Sequence, residues 1–514
     1  MKSFTYAIFG AVLAALVSYC FIFSTHECSA LYKVFNGRSI EVLNFLACLA
    51  KTPGGPYKKF TQCRPPCASC DDLVPTEFEI SNTTFLIRST ATADFDGDGQ
   101  LDDIAHCQRK GLPVKALDPK KAPKGFVHSL ILRFASIALG EVETANNLTV
   151  FVHLNQGQAG REWQTVPVHT SLSGPDCTVV KVADMDNDGD QDLVVTGHMT
   201  NDVWWYENLN GNGLGWKEHQ VIDEESILCS PHGVDVYDFD NDGDADMIVT
   251  TTSTRLSQCN AVDDSLYANR VICMENVDGK GTKWKAAEIA IISESFAVSF
   301  GDFDLDGKMD VAYASRDGDK DVEGLLDKSG WIRNTGHPAY ATWEVIPFQD
   351  PLSESHFILS LDFDKNGEMD VLLGSAYSIA MYTNHGQHFT KHMVWEGWPL
   401  QGVKDFCVGD IDMDGDIDIV APSFFNDFVI LFENVSPANA TEFEFLPHVL
   451  SECEPGVGTC SIGDVDHDGK PEVVLGNYNY PGYLRYLKPQ KTTSPGAPLV
   501  TQWKPAGLWK SMWT

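Results

Sequence analysis

The chain has 514 residues, of which 72 are acidic and 37 basic, giving a formal charge of −35 at pH 7 with histidine neutral. Acidity on this scale repels a polyphosphate backbone and excludes nucleic acid as a partner. The length would allow several domains, but one internal repeat absorbs most of it.

The N-terminus opens Met1-Lys2 and turns apolar from Ala7 to Phe23, with small residues at Cys28-Ser29-Ala30. This pattern predicts a secretory signal peptide over residues 1–30. An uncleaved signal anchor is the alternative, and the one route to a membrane. Residues 31–75 carry Cys48, Cys63, Cys67 and Cys70. Their spacing is compatible with zinc, but behind a secretory signal they are expected to form two disulfides stapling a small N-terminal cap.

From Asp94 onward a short acidic loop recurs seven times, each time running into a hydrophobic strand. Positions 1, 3, 5 and 9 of the first loop are Asp94, Asp96, Asp98 and Asp102. The second has Asp184, Asp186, Asp188 and Asp192; the third has Asp238, Asp240, Asp242 and Asp246. The fourth has Asp302, Asp304, Asp306 and Asp310; the fifth has Asp362, Asp364, Asn366 and Asp370. The sixth has Asp410, Asp412, Asp414 and Asp418, and the seventh Asp464, Asp466, Asp468 and Glu472. Glycine at position 6 permits the sharp turn that lets these oxygens converge on one hard cation, and oxygen-only ligands select calcium. An EF-hand would need glutamate at position 12, where this chain has Ala105, Val195, Val249, Tyr313, Leu373, Ala421 and Leu475. The loops are therefore expected between two strands, holding up to seven Ca2+ ions. Loops two, three and six carry an additional acid at position 7 and are expected to bind tightest. Asn366 and Glu472 are expected to weaken loops five and seven.

After a first gap of 90 residues the loops follow at intervals of 48 to 64, which suits one four-stranded propeller blade each. Downstream of the first six loops a strand ends in asparagine: Asn155, Asn208, Asn276, Asn334, Asn384 and Asn434. Another strand then opens on an aromatic residue: Trp163, Trp216, Trp284, Trp343, Phe389 or Phe443. The tryptophans are expected in the core between blades. The predicted fold is all-β, a seven-bladed propeller of four-stranded blades over residues 76–490, with a tail at 491–514. The last blade needs a fourth strand, and Thr76–Ile80 is expected to supply it; Thr501–Trp503 is the alternative, followed by Pro505 and Gly507, which suit a strand poorly.

Cys453 with Cys460 and Cys259 with Cys273 are expected disulfides, and sequons at Asn82, Asn147, Asn434 and Asn439 fit a secreted glycoprotein.

At these loops and strands the chain resembles the FG-GAP/VCBS repeat family, also seen in the propeller of integrin α subunits. The resemblance implies calcium on one rim of the propeller. It implies no single activity, because similar propellers serve as adhesion receptors, lectins, polysaccharide lyases and a sugar dehydratase.

The opposite rim should hold the ligand site, at the mouth of the central channel. Six residues before each loop stand Arg88, Thr178, His232, Phe296, His356, Lys404 and Gly458, which an equal offset places in one ring. The exits of the second strands add His106, His198, Arg255, Arg316, Tyr377 and Tyr478. An insertion in blade 1 adds a basic flap with Arg109, Lys110, Lys115, Lys120, Lys121 and Lys124. A cationic mouth on an acidic protein suits an anionic ligand, and an acidic, uronate-containing cell-surface polysaccharide is the expected class. Elimination from a uronate needs a base and an acid, for which His232 and His356 are candidates, with Arg88 and Arg316 steadying the carboxylate. His198, Arg255, Lys404, Tyr377 and Tyr478 are candidate substrate contacts. A lectin or adhesion propeller without chemistry is the competing reading. The sequence has no Gly-x-Ser-x-Gly elbow, His-Glu-x-x-His or P-loop. A secreted monomer is expected.

Overall fold

The computed structural model describes residues 77–488, leaving out 84–85, 110–148, 158–159, 161, 170–176, 199, 222–227, 229, 253–269, 293, 317–327, 337–342, 398, 438–442, 452–453, 455 and 479–481. The signal segment, the cysteine-rich stretch 31–75, the basic flap from Lys110 onward, Arg255 and the tail 491–514 lie outside the described residues.

The first described strand, β1 (Glu77–Thr83), belongs to the last blade. Blade 1 is β2 (Leu86–Ala93), β3 (Asp103–Arg109), β4 (Val150–Asn155) and β5 (Trp163–Pro167). Blade 2 is β6 (Cys177–Ala183), β7 (Asp192–Gly197), β8 (Asp202–Asn208) and β9 (Trp216–Val221). Blade 3 is β10 (Pro231–Tyr237), β11 (Asp246–Thr251), β12 (Arg270–Asn276) and β13 (Trp284–Ile291). Blade 4 is β14 (Ser295–Gly301), β15 (Asp310–Ser315), β16 (Gly330–Arg333) and β17 (Glu344–Pro347). Blade 5 is β18 (Ser355–Leu361), β19 (Asp370–Ser375), β20 (Ser378–Asn384) and β21 (Phe389–Glu396). Blade 6 is β22 (Cys407–Gly409), β23 (Asp418–Ser423), β24 (Phe428–Asn434) and β25 (Phe445–Ser451). Blade 7 is β26 (Val457–Gly463), β27 (Glu472–Asn477) and β28 (Gly482–Leu487), completed by β1. All pairings within the blades are antiparallel, and the strands of each blade are lettered A to D in the order given.

The B strands explain the hydrophobic runs after the loops. From β7 to β27 each is buried along its whole length, as a strand covered on both faces must be. The D strands are more exposed: in β9 only the last residue, Val221, is buried. The seven apolar clusters each lie between two consecutive blades, and the last joins Leu484 and Tyr486 of blade 7 to Ile87 and Ile104 of blade 1. The tryptophans do pack in these seams: Trp284 against blade 2, Trp216 against blade 1 and Trp163 against blade 7.

Two disulfides tie neighbouring blades, Cys107–Cys177 and Cys407–Cys460. The expected Cys453–Cys460 pair is thereby corrected, since Cys460 on β26 faces β22 of the blade before it. Cys273 is a buried free thiol, so the expected pair with Cys259 does not form. Proximity in sequence is a poor guide in a ring where strands far apart in the chain lie side by side. The bridges themselves fit an oxidising compartment. Asn434, expected as a glycan acceptor, is buried, and its side-chain oxygen accepts the amide of Ser436.

Blade 7 closes through the N-terminal strand: β1 pairs with β28 from Glu77–Leu487 to Thr83–Gly482. A chain beginning at residue 86 should therefore expose the edge of β28, melt well below a chain beginning at residue 73, and aggregate on warming. Equal melting of the two in calorimetry would contradict this closure.

Candidate functional site

Two rims carry chemistry, and the acidic loops build the first. In loop two Asp184 accepts the amides of Asp188 at 3.1 Å and Gly189 at 3.0 Å, folding the loop around its own carboxylate. Gly189 turns with φ +98°, which a side chain would strain. The position-9 acid is the hub. Asp192 accepts the amide of Met185 in its loop at 2.9 Å and that of Asn208 at the end of β8 at 2.8 Å. Asp246, Asp310, Asp370 and Asp418 repeat both bonds. This gives the recurring asparagine a role the sequence left unexplained. Its amide completes the buried carboxylate, and in blade 2 its side chain reaches back to the carbonyl of Phe95 in the preceding loop at 2.8 Å. Asn155, Asn276 and Asn384 make the same reach.

Loop one departs by one residue. The hub there is Asp103, which accepts from Phe95, Asp96 and Asn155, and not the expected Asp102. The loop is one residue longer before its strand, and Asp102 turns instead to His467 of loop seven at 2.5 Å.

Carboxylate oxygens of Asp184, Asp186 and Asp192 lie within 4.8 Å of one another, as do those of Asp238, Asp240 and Asp246, and of Asp94, Asp96 and Asp103. Buried oxygens of Asp186, Asp190, Asp244 and Asp416 have no hydrogen-bond partner among the described residues. Burial and then the like charges beside them push Asp190 up to about 6, and Asp244 and Asp416 up to about 7. Burial raises the hubs further, Asp192 and Asp246 to about 8 against the pull of their amide bonds. Hard oxygen donors with orphaned lone pairs and mutual repulsion are what a calcium site looks like without its ion, so these loops fit calcium. The oxygens of Asp302, Asp304 and Asp306 in loop four converge in the same way, and Asp466 Oδ1 in loop seven also lacks a hydrogen-bond partner among the described residues. Both loops add a cation, however: Arg333 donates to Asp304 at 2.7 Å, and Lys488 pairs with Asp466 and, at 3.1 Å, with Asp468.

The second rim lies where the A strands begin. The register of A against B slips at Arg88, Thr178, His232, Phe296, His356 and Gly458, so each ring residue sits at a β-bulge. In blade 6 the isolated Val403–Ser423 bridge and the short β22 bracket Lys404 in the same way. A bulge breaks the alternation and re-aims its side chain, which is how seven equivalent strands present one residue each.

The ring residues touch around part of the circle. His198 lies 5.6 Å from His232, His232 4.6 Å from Phe296, and Phe296 5.5 Å from His356, between ring centroids. Arg88 stacks over Tyr478 at 4.9 Å, and the Tyr478 hydroxyl donates to the Arg88 carbonyl at 2.8 Å. Gly458 makes room for this: a Cβ there would sit 2.5 Å from the Tyr478 ring. His232 Nδ1 donates to the Phe296 carbonyl at 3.0 Å, which leaves Nε2 as its lone-pair nitrogen. Burial, then the nearby His198, Arg88 and His356, push His232 down to about 3; burial with Lys404 and Arg316 takes His356 down to about 4. The half-buried Lys404 is lowered by burial and by the charges of Arg88 and Arg316, and it has no carboxylate partner among the described residues.

The remaining candidates have different surroundings. His106 is buried between Phe151 and His153, in a B strand with no face on the rim. Arg316 lies 3.8 Å from Glu294, which offsets part of its charge. Tyr377 is exposed. Two aromatic residues were not anticipated, Phe424, 6.2 Å from Tyr478, and the exposed Phe425, packed over Gly402 in blade 6. Their Phe-Phe pair follows strand β23 directly and was the available signal.

Residues 184–249 and 362–421 match the FG-GAP-like repeat family. No curated protein matches the chain. Among solved structures it is similar to a BBS1N chain crystallised with ARL6DN and soaked with lead, at 11% identity and a TM-score of 0.45, covering 82% of this chain and 99% of that one. It is also similar to an Agrocybe aegerita lectin that recognises non-reducing terminal N-acetylglucosamine, at 15% identity and a TM-score of 0.45, covering 77% and 86%.

The hub acids set a pH dependence. Their folded-state pKa values, about 7 to 8, exceed the ordinary 3.8, so the calcium-free fold holds protons that the unfolded chain has released. Without calcium, stability should therefore be greatest near pH 4 to 5 and fall as the pH rises through 7 to 8. Calcium should reverse this at neutral pH by compensating the ionised carboxylates. Calorimetry with calcium and with chelator at pH 5.5 and 8 tests it; parallel curves would contradict it.

Proposed function

We propose that this propeller, with its FG-GAP-like repeats, is an extracellular calcium-binding module that holds an acidic glycan at the channel mouth opposite its calcium loops. One observation carries the reading. Lys404 is a half-buried ammonium with no carboxylate partner among the described residues, close enough to Arg88 and Arg316 for their charges to act on it. An ammonium without an acid of its own among the described residues, beside two further cations on a chain with 72 acids, calls for an external anion. The ring around them adds aromatic faces at Phe296 and Tyr478 and imidazoles at His232 and His356. An aromatic face beside a cation suits a sugar ring bearing a carboxylate, the chemistry of a uronate. Arg88, Lys404 and Arg316 would grip the carboxylate, while His198, His232 and Tyr478 shape the wall.

Binding is favoured over chemistry. A general base works best when its pKa lies near the working pH, and His232 and His356 lie well below neutrality. The Tyr478 phenol is committed to the Arg88 carbonyl and raised by burial. One observation keeps elimination as a second reading: Nδ1 of His356 is buried without a hydrogen-bond partner. A bound uronate would raise that imidazole toward neutrality and allow it to take the ring proton beside the carboxylate.

Titration calorimetry with a uronic-acid oligosaccharide, and its carboxyl-reduced form as control, tests the reading. Lys404→Met should weaken binding roughly tenfold to a hundredfold, the worth of one charge-assisted hydrogen bond. Affinity should fall with salt. It should rise as the pH falls from about 7 toward 5, because the bound anion raises imidazoles that are otherwise neutral. Equal binding of the reduced sugar would contradict the reading. Ultraviolet absorbance of an unsaturated product would establish the elimination.

A further inference from the structure

The seven loops share one skeleton but differ in the charge set around it, and two places decide the difference. One is position 7, directly after the turn glycine. The other is the C-strand residue one step beyond the first ladder pair, opposite the hub acid. In blade 2 that pair is Leu193–Tyr206, so the residue facing Asp192 is Glu207. The same step gives Glu275 in blade 3, Glu433 in blade 6, Arg333 in blade 4 and Lys488 in blade 7.

The two places vary together. Blades 2, 3 and 6 are acidic at both: Asp190 with Glu207, Asp244 with Glu275, Asp416 with Glu433. Blades 4 and 7 are basic at both: Lys308 with Arg333, Lys470 with Lys488. Blades 1 and 5 have Leu154 and Thr383 on the strand, and neither sets an acid against a base at these places.

Geometry turns the pattern into chemistry. The Arg333 guanidinium reaches the position-3 carboxylate Asp304 at 2.7 Å, and Lys308 reaches the position-5 carboxylate Asp306 at 2.5 Å. Lys488 pairs with Asp466 and Asp468 and lies 4.0 Å from Glu472, the hub of its loop. Two of the carboxylates around a calcium ion thus face a cation of the chain. The outer strand follows suit. Glu207 and Glu275 pair across to Lys217 and Lys285 on strand D, whereas Arg333 pairs across to Glu344, with the polarity reversed. Blade 7 goes further. The residue after Lys488 is Pro489, where other blades have the asparagine whose amide completes the hub, and proline has no amide hydrogen to give.

We infer that the fourth and seventh loops are neutralised by the chain's own cations, Arg333 and Lys488, and take no calcium, so that the ring holds at most five ions. A divalent ion at either loop would have to displace cations already paired with two of its ligands, Arg333 and Lys308 in loop four and Lys488 in loop seven, or share carboxylates with them against like-charge repulsion. Blade 7 is the blade that closes the ring, and Lys488 offsets the charge of its loop without an ion. The inference rests on the calcium reading of the acidic loops and is independent of the glycan reading.

Calcium bound per chain, measured by equilibrium dialysis of the full protein in millimolar calcium, tests it. Wild type should hold no more than five. Arg333→Thr and Lys488→Thr, which install the residue blade 5 has at this place, should each gain one ion, and the double variant two. Lys488→Met keeps the aliphatic stem and should gain one as well, should the threonine variant not fold. Glu207→Thr should gain none. Six or seven ions on wild type, or unchanged counts in the Arg333 and Lys488 variants, would overturn the inference while leaving the acidic loops as calcium sites. No calcium on wild type would overturn the calcium reading and the inference with it.

Discussion

Each of the first six blades of this ring turns on one buried carboxylate. The hub acid at the start of strand B accepts one amide from the loop before it and another from the asparagine ending strand C. The asparagine side chain, in four blades, then bonds the loop of the preceding blade. A single residue thus joins loop, strand and neighbouring blade. Hydrogen bonds to a charged acceptor contribute about 1.5–3 kcal/mol each, but burying the carboxylate opposes them. The balance depends on a compensating cation. On the reading proposed above, calcium supplies it where further acids crowd the loop, and Arg333 and Lys488 supply it where they do not.

The same architecture separates the two rims. A–B turns gather acids on one side, and the bulges at the start of the A strands gather cations, imidazoles and aromatics on the other. Between them the A strands line the channel with polar contacts from blade to blade. Thr92 meets Ser461 at 2.8 Å, Lys181 pairs with Asp235 at 3.1 Å, and Asp405 accepts from Thr459 at 2.7 Å. These charged and polar groups of the wall are paired from blade to blade, whereas Lys404 at its mouth has no carboxylate partner among the described residues. Spatial separation would let the acidic rim hold metal without cancelling the attraction of the cationic rim for the proposed anion.

Much of this was legible in the chain. The nine-residue acidic pattern carries its own turn glycine and its own strand, so blade number and the place of each acidic loop follow from local chemistry. The ring register was legible because the bulge falls at the same offset in most blades. What was hidden depends on neighbours distant in sequence. Asp102 and Asp103 are adjacent acids, and only the ladder pairing with Asn155 selects the second. Cys407 and Cys460 are brought together by the packing of blade 6 on blade 7. His106 looked like a rim residue because strand length was unknown; its strand remains in the core at that point. Arg333 and Lys488 were visible as basic residues, but their meaning required the strand pairing that sets them opposite the hub.

Native-state hydrogen exchange at neutral pH, with calcium and after chelation, tests the central role of the compensated carboxylate most directly. The hub amides report it: Met185 and Asn208 in blade 2, Phe239 and Asn276 in blade 3, Ile411 and Asn434 in blade 6. Chelation should speed their exchange strongly while the Val465 amide, held by Glu472 beside Lys488, stays protected. Uniform loss of protection around the ring, or none anywhere, would contradict the account.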